Sequence, residues 1–232
     1  MNGHRKCGPK PSPMPTPKTL TDLVNNYIKP GGKRDWRKDY ASALMLSKTV
    51  PVKPAPLPHD LVTVSTYGLR SNKGGVFVPM AEHQRHIAGT LPLIVTALKR
   101  SKILSMTFAS YEDLYSYIAS VVSTVRIKNP NLRFGPVANY DIACRLTKVM
   151  GGPDPKDFCY FHAGALVGIK NLYNNARLSL PKKAIPGIAS LTIPYASLVA
   201  IPQFAALKKL TADEIEDLCC CYSTELLTVS LP

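Results

Sequence analysis

Apolar positions recur at helical spacing along much of the chain, and they predict a mainly α protein. The clearest pattern is in residues 111–126, where Leu114 and Ile118 belong to an apolar stripe with a period of about 3.6 residues. Ser110, followed three residues later by Asp113, has the form of a capping box at a helix N-terminus. We therefore predict a helix that begins immediately after Ser110.

Two further helices are predicted on either side of the turn Gly151-Gly152-Pro153. The first covers residues 136–150, because Pro136 suits a first turn and the glycines suit a helix end. The second begins after Pro155 and carries a wide apolar stripe. Its members are Phe158, Phe161, Ala165, Leu166, Ile169 and Leu172.

The remaining pattern predicts shorter elements. Helical spacing is seen in residues 19–28, 80–102 and 212–227, with Pro92 expected to kink the second and Thr211 with Glu214 forming a capping box for the third. Alternation in LVTVSTYGLR (61–70) and GGVFVP (74–79) predicts a small β-hairpin. Residues 179–204 hold four prolines among apolar residues, and we expect a packed connection without regular structure there.

Proline placement divides the chain. Ten of the 21 prolines precede His59, where they would interrupt long elements. We predict a Pro-rich basic N-terminal arm over residues 1–59, with one or two short helices, and a predominantly helical globular domain over residues 60–232. The predicted fold class is thus mainly α, with a small β-hairpin and a Pro-rich basic N-terminal arm.

Charge suggests a polyanionic partner. The net charge is +14, and the arm alone has 11 Lys/Arg against 3 Asp/Glu, whereas residues 135–232 have 9 against 8. An excess of this size favours nucleic acid or another polyanion as partner. The alternative is that a basic tail only improves solubility.

Two clusters of cations are candidates for nucleic-acid contact. In the arm, Trp36 lies among cations that could contact phosphates while the ring stacks on a base; the alternative is a surface helix whose Lys and Arg stems cover a core. A second patch follows the helix predicted after Ser110. The candidate residues are Lys33, Arg34, Trp36, Arg37 and Lys38 in the first cluster and Arg126, Lys128 and Arg133 in the second.

Residues 135–173 contain the candidate site. Asp141 and Arg145 are one helical turn apart and can form an exposed ion pair; alternatively, Asp141 orients a partner and Arg145 binds an anion. His162 lies in an apolar segment, either as a core histidine paired with a carboxylate such as Asp141 or as a general acid–base. Tyr140 and Tyr160 complete this set as ligand-binding candidates.

Gly164 and Gly168 have a Gly-x-x-x-Gly spacing on the second of these helices. Each glycine lowers helix propensity by about 1 kcal/mol relative to Ala, which suggests close approach of another backbone or of a ligand. His83 and His86 are three residues apart, but no further ligand completes a recognisable metal motif, so they are interpreted as surface histidines. We expect no metal and no cofactor.

Three short motifs in order are similar to those of a family of uncharacterised bacterial proteins. They are Tyr140-Asp141-x-Ala143-x-Arg145, then Tyr160-x-His162-Ala163-Gly164, then Glu214-Ile215-Glu216-Asp217. The resemblance covers about residues 134–227 and implies a fold without an activity. This chain departs from the family pattern at Cys144 and Leu146, where Leu-Arg-Ile-Gly is more usual after the aspartate.

Cysteine usage and hydropathy suggest a cytoplasmic protein. The six cysteines include the run Cys219-Cys220-Cys221, which does not suit a disulfide framework, and no apolar run reaches the length of a membrane span. The first functional hypothesis is a nucleic-acid-associated binding or structural protein. The alternatives are an enzyme of unknown reaction around Asp141, Arg145 and His162, and a subunit of a large assembly anchored by the N-terminal arm.

Overall fold

The computed structural model describes residues 18–32, 61–71, 77–79, 89–131, 134–182 and 188–232. The chain is mostly helical with a small antiparallel hairpin, which confirms the predicted fold class. It divides into two compact units, one of Met1–Asp35 with Pro155–Pro232 and one of Trp36–Asp154. The predicted boundary near residue 60 lies outside the described residues and stays a prediction.

The elements follow one another in a simple order. The helices are α1 (Leu20–Ile28), α2 (Leu61–Tyr67), α3 (Thr90–Arg100), α4 (Tyr111–Lys128), α5 (Pro136–Met150), α6 (Ala163–Asn175), α7 (Tyr195–Val199) and α8 (Ala212–Cys221). The strands are β1 (Leu69–Ser71), β2 (Phe77–Pro79), β3 (Phe158–Phe161) and β4 (Leu191–Pro194). Short 3₁₀ segments cover Ile103–Ser105, Pro202–Lys209 and Glu225–Leu227.

Helix ends follow the local sequence signals. The Ser110 hydroxyl accepts the Asp113 N–H and the Asp113 carboxylate accepts the Ser110 N–H, both at 3.1 Å. Thr211 and Glu214 form the same reciprocal arrangement at the start of α8. Gly151 ends α5 in the left-handed conformation, with φ of +61°. These signals act within one turn, so the surrounding fold does not override them.

The unit of residues 36–154 is a helical bundle with a short hairpin. Helix α2 packs on α3 and α5, and α4 packs on α3 and α5. Strands β1 and β2 pair antiparallel, with Arg70 opposite Val78. The apolar stripe predicted on α4 is buried, and the buried core includes Leu91, Ile94, Leu98, Leu114, Ile118, Val122, Ile142 and Leu146.

In the other unit, α6 packs against α8, and the antiparallel pair β3–β4 packs on α8 through β3. Helix α1, predicted within the basic arm, lies in this core and buries Leu20, Leu23, Val24 and Tyr27. Backbone bonds at the start of α1 join it to Ser230, whose N–H donates to the Lys18 carbonyl at 2.8 Å. The first described residues and the last are therefore neighbours.

One predicted strand and the start of one predicted helix were wrong. Residues 61–67 form helix α2 although Val and Thr favour strands, because the helix is buried from Val62 to Tyr67 and packing outweighs propensity. Residues 158–161 form strand β3, so the helix expected after Pro155 begins only at Ala163. The apolar stripe from Phe158 to Leu172 is therefore divided between strand β3 and helix α6.

Two further expectations are corrected. Residues 191–194, predicted to lack regular structure, form β4 and pair with β3 from Phe158↔Pro194 to Phe161↔Leu191. Pro92 lies in the first turn of α3, where a missing N–H costs no helical hydrogen bond, so it does not kink the helix. Residues 80–88, including His83 and His86, lie outside the described residues.

Candidate functional site

The candidate site residues belong to different units. Tyr140, Asp141 and Arg145 lie on α5, in the unit of residues 36–154, whereas Tyr160, His162, Gly164 and Gly168 lie on β3, α6 and the junction between them, in the other unit. Each group is described within its own unit. A site that unites them stays a prediction.

Asp141 and Arg145 are buried, which corrects the expectation of an exposed ion pair. Arg145 is 3% exposed and Asp141 is 8% exposed. The i,i+4 spacing correctly predicts that the two residues share one face of α5, but that face is packed in the interior of the unit. Both residues place an ionisable side chain in the interior, where a charge without a compensating contact is costly.

The guanidinium of Arg145 lies at the C-terminus of α2. Its Nη1 donates to the Ser65 carbonyl oxygen at 3.3 Å. Gly68, with φ of +60°, leaves the space in which the guanidinium sits: a Cβ there would lie 2.6 Å from Arg145 Cζ. A cation that binds the last carbonyls of a helix also stabilises its dipole. Among the described residues, Arg145 therefore binds the C-terminus of α2, a helix of its own unit.

Tyr140 is wholly buried beside a second tyrosine that sequence patterns did not single out. The Tyr111 and Tyr140 rings pack edge to face, with centroids 6.0 Å apart. The Tyr111 hydroxyl donates to the Tyr140 carbonyl oxygen at 3.4 Å and lies 3.4 Å from Cys144 Sγ. Burial raises the pKa of Tyr111 well above its ordinary value, and Cys144 adds to the shift. Tyr111 is therefore a neutral phenol.

Tyr160 and His162 lie at a strand-to-helix junction. Tyr160 belongs to β3, pairs in register with Thr192 and is wholly buried. His162 is the N-cap residue of α6 and is 3% exposed. The next residue, Ala163, has φ of +34°, a strained conformation for a residue with a Cβ. The backbone therefore turns sharply from β3 into α6, with the His162 side chain in the interior of the unit.

The two glycines of α6 provide close helix packing. A Cβ on Gly168 would overlap the Cys219 carbonyl group, and a Cβ on Gly164 would lie 3.2 Å from Cys220 Sγ. Of the two causes considered for the Gly-x-x-x-Gly spacing, the geometry therefore shows approach of another backbone, that of α8.

The first turns of α8 carry buried acids. Asp213, Glu214 and Glu216 are all buried, and Tyr27 donates to the Asp217 carboxylate at 2.9 Å. Burial raises the pKa of the Cys159 thiol, and Asp213 and Glu216 raise it further. Among the described residues, no group of three or more His, Cys, Asp or Glu side chains is arranged to hold a metal ion.

The second basic cluster is partly described. Arg126 and Lys128 lie exposed in the last turn of α4. Arg133 and the whole first cluster, Lys33, Arg34, Trp36, Arg37 and Lys38, lie outside the described residues. No helix in the described part of the chain is long and apolar enough to cross a membrane.

The chain matches no protein-family model, no curated protein and no solved structure. The resemblance to uncharacterised bacterial proteins therefore stays a prediction.

Proposed function

We propose that the protein is a nucleic-acid-associated binding or structural protein whose contacts are made by cations of the N-terminal arm and of the patch around Arg126 and Lys128. The observation that carries the proposal is the distribution of charge. Residues 1–154 contain 22 Lys/Arg against 9 Asp/Glu, a net charge of +13, whereas residues 155–232 contain 7 against 6. A basic excess concentrated in one part of the chain is the electrostatic footprint expected for a polyanion partner.

The exposed end of α4 supports this proposal. Arg126 and Lys128 point into solvent, and neither side chain has an ion-pair partner among the described residues. Cations that are not neutralised by neighbouring carboxylates retain their full attraction for phosphate. In contrast, Arg145 is buried against the backbone of α2, so the proposal does not use it.

Salt-dependent binding of oligonucleotides tests the proposal. Fluorescence anisotropy with labelled single-stranded and duplex oligonucleotides should show affinity that falls steeply as salt rises from about 50 to 200 mM. The Arg126→Gln/Lys128→Gln double variant should lower the magnitude of the slope of log K against log salt by about 1.5, because two phosphate contacts are lost.

A matched double variant provides the control. Lys156→Gln/Lys170→Gln removes two exposed lysines of the other unit and should leave the slope unchanged. Absence of binding by the wild-type protein at about 50 mM salt would overturn the proposal.

A further inference from the structure

Ile127 is the most exposed large apolar residue in the described part of the chain. It is 80% exposed, whereas the next most exposed, Leu227, is 49% exposed. Single apolar side chains that are partly exposed are common on protein surfaces. An isoleucine that is four-fifths exposed, in the last turn of the 18-residue helix α4, stands out from these.

Cations flank Ile127 on both sides. Arg126 and Lys128 are its sequence neighbours, and successive helical residues are separated by about 100° around the axis. Ile127 therefore has one exposed positive side chain about 100° around the helix axis on each side of it. A partner that covers Ile127 must offer an apolar surface with negative charge on either side of it.

We propose that this tip, Arg126-Ile127-Lys128, binds single-stranded nucleic acid, with Ile127 packed on a base and the cations on flanking phosphates. The inference rests on the proposed function and specifies its ligand. A single strand presents unstacked bases between phosphates, so Ile127 can be covered without deforming the ligand. Insertion into a duplex requires unstacking of a base step, which costs as much free energy as one isoleucine gains by burial.

An anionic membrane is the less favourable partner. Interfacial binding depends on a broad apolar face along a helix. The solvent-facing positions that precede Ile127 on α4 carry hydroxyl groups instead, at Ser116, Ser120, Ser123 and Thr124. One isoleucine provides too little apolar area for stable insertion.

The test compares the full-length chain and two variants on an oligothymidylate and on a duplex of equal length. Wild type should bind the single strand more tightly than the duplex. Ile127→Ser should weaken single-strand binding by about tenfold while the salt slope stays unchanged, because only apolar contact is lost. Val167→Ser, which changes a 43%-exposed residue of α6, should have no effect.

The outcomes separate this inference from the proposed function. If Ile127→Ser binds as wild type while Arg126→Gln/Lys128→Gln lowers the salt slope, the inference fails and the proposed function stands. Equal or tighter binding to the duplex would overturn the inference. So would binding to vesicles of phosphatidylserine that is lost in Ile127→Ser. Circular dichroism of each variant confirms that the helical fold is kept.

Discussion

Gly168 on α6 lies directly against the backbone of Cys219 on α8, so close that a Cβ at position 168 would overlap the Cys219 carbonyl group. The two helices can approach to this distance only because the side chain is absent. The contact lies in the core of the unit, beside the wholly buried Ala165 and Leu218. Strand β3 packs on the same helix α8.

Gly168→Ala should therefore destabilise the protein. Alanine improves helix propensity by about 1 kcal/mol, but overpacking against a backbone costs up to about 3 kcal/mol, so we expect a net loss of about 2 kcal/mol. Urea unfolding followed by circular dichroism measures the change. Gly164→Ala is the matched control, since its Cβ meets the Cys220 sulfur, which can move. Its effect should stay within about 1 kcal/mol. Equal unfolding midpoints for the two variants would contradict this account.

Arg145 and Gly68 should be energetically coupled. Gly68→Ala should cost about 2 kcal/mol, because a Cβ meets the guanidinium and φ is positive. In an Arg145→Gln background the overlap is relieved, so the same substitution should cost only about 1 kcal/mol for the left-handed conformation. A double-mutant cycle measured by chemical denaturation gives the coupling energy.

Gly151→Ala serves as the control for backbone strain alone. Its φ of +61° matches that of Gly68, but no atom lies within 4 Å of the Cβ position. It should cost about 1 kcal/mol with or without Arg145. If Gly68→Ala cost the same free energy of unfolding with Arg145 and with Gln at position 145, the contact between residue 68 and the guanidinium would not contribute to stability.

The N-terminus of α4 depends on Ser110. Ser110→Ala removes the hydroxyl that accepts the Asp113 N–H and should cost about 1 kcal/mol, seen as a lower Tm. Ser116→Ala, at an exposed position within the same helix, should leave Tm unchanged or raise it slightly because Ala favours helix. A larger loss for Ser116→Ala than for Ser110→Ala would show that the cap does not stabilise this helix.

Local signals explain which parts of the fold could be predicted. Ser110 with Asp113 and Gly151 act within a turn of their own helix, and both ends lie where the sequence indicates. Helix α2 could not be found this way, because its Val and Thr residues favour a strand. Contacts with α3 and α5 decide its conformation, and those partners lie far along the chain.

The candidate site shows the same limit. The shared helix face of Asp141 and Arg145 follows from their spacing, but their burial does not. It depends on α2, since Arg145 binds the Ser65 carbonyl 80 positions earlier in the chain. Likewise, the apolar stripe that begins at Phe158 continues past Ala163, and for this reason it predicts a helix for Phe158 and Tyr160. These residues form strand β3 because they pair with β4, which lies about 30 positions later in the chain.

Buried thiols should make stability fall in alkaline solution. Burial raises the pKa of Cys159 and that of Cys219, and Glu216 contributes to both shifts. Below pH about 8.5 the thiols are protonated in the folded and unfolded states alike, so their contribution to stability is fully present. Above that pH only the unfolded state loses these protons, and the free energy of unfolding should fall by roughly 1.4 kcal/mol per pH unit for each thiol. Urea unfolding between pH 8 and 10 measures this pH dependence. The Cys159→Ala variant should lose the contribution of one thiol, roughly 1.4 kcal/mol per pH unit. An unchanged pH dependence in that variant would contradict a raised pKa of Cys159 in the folded protein.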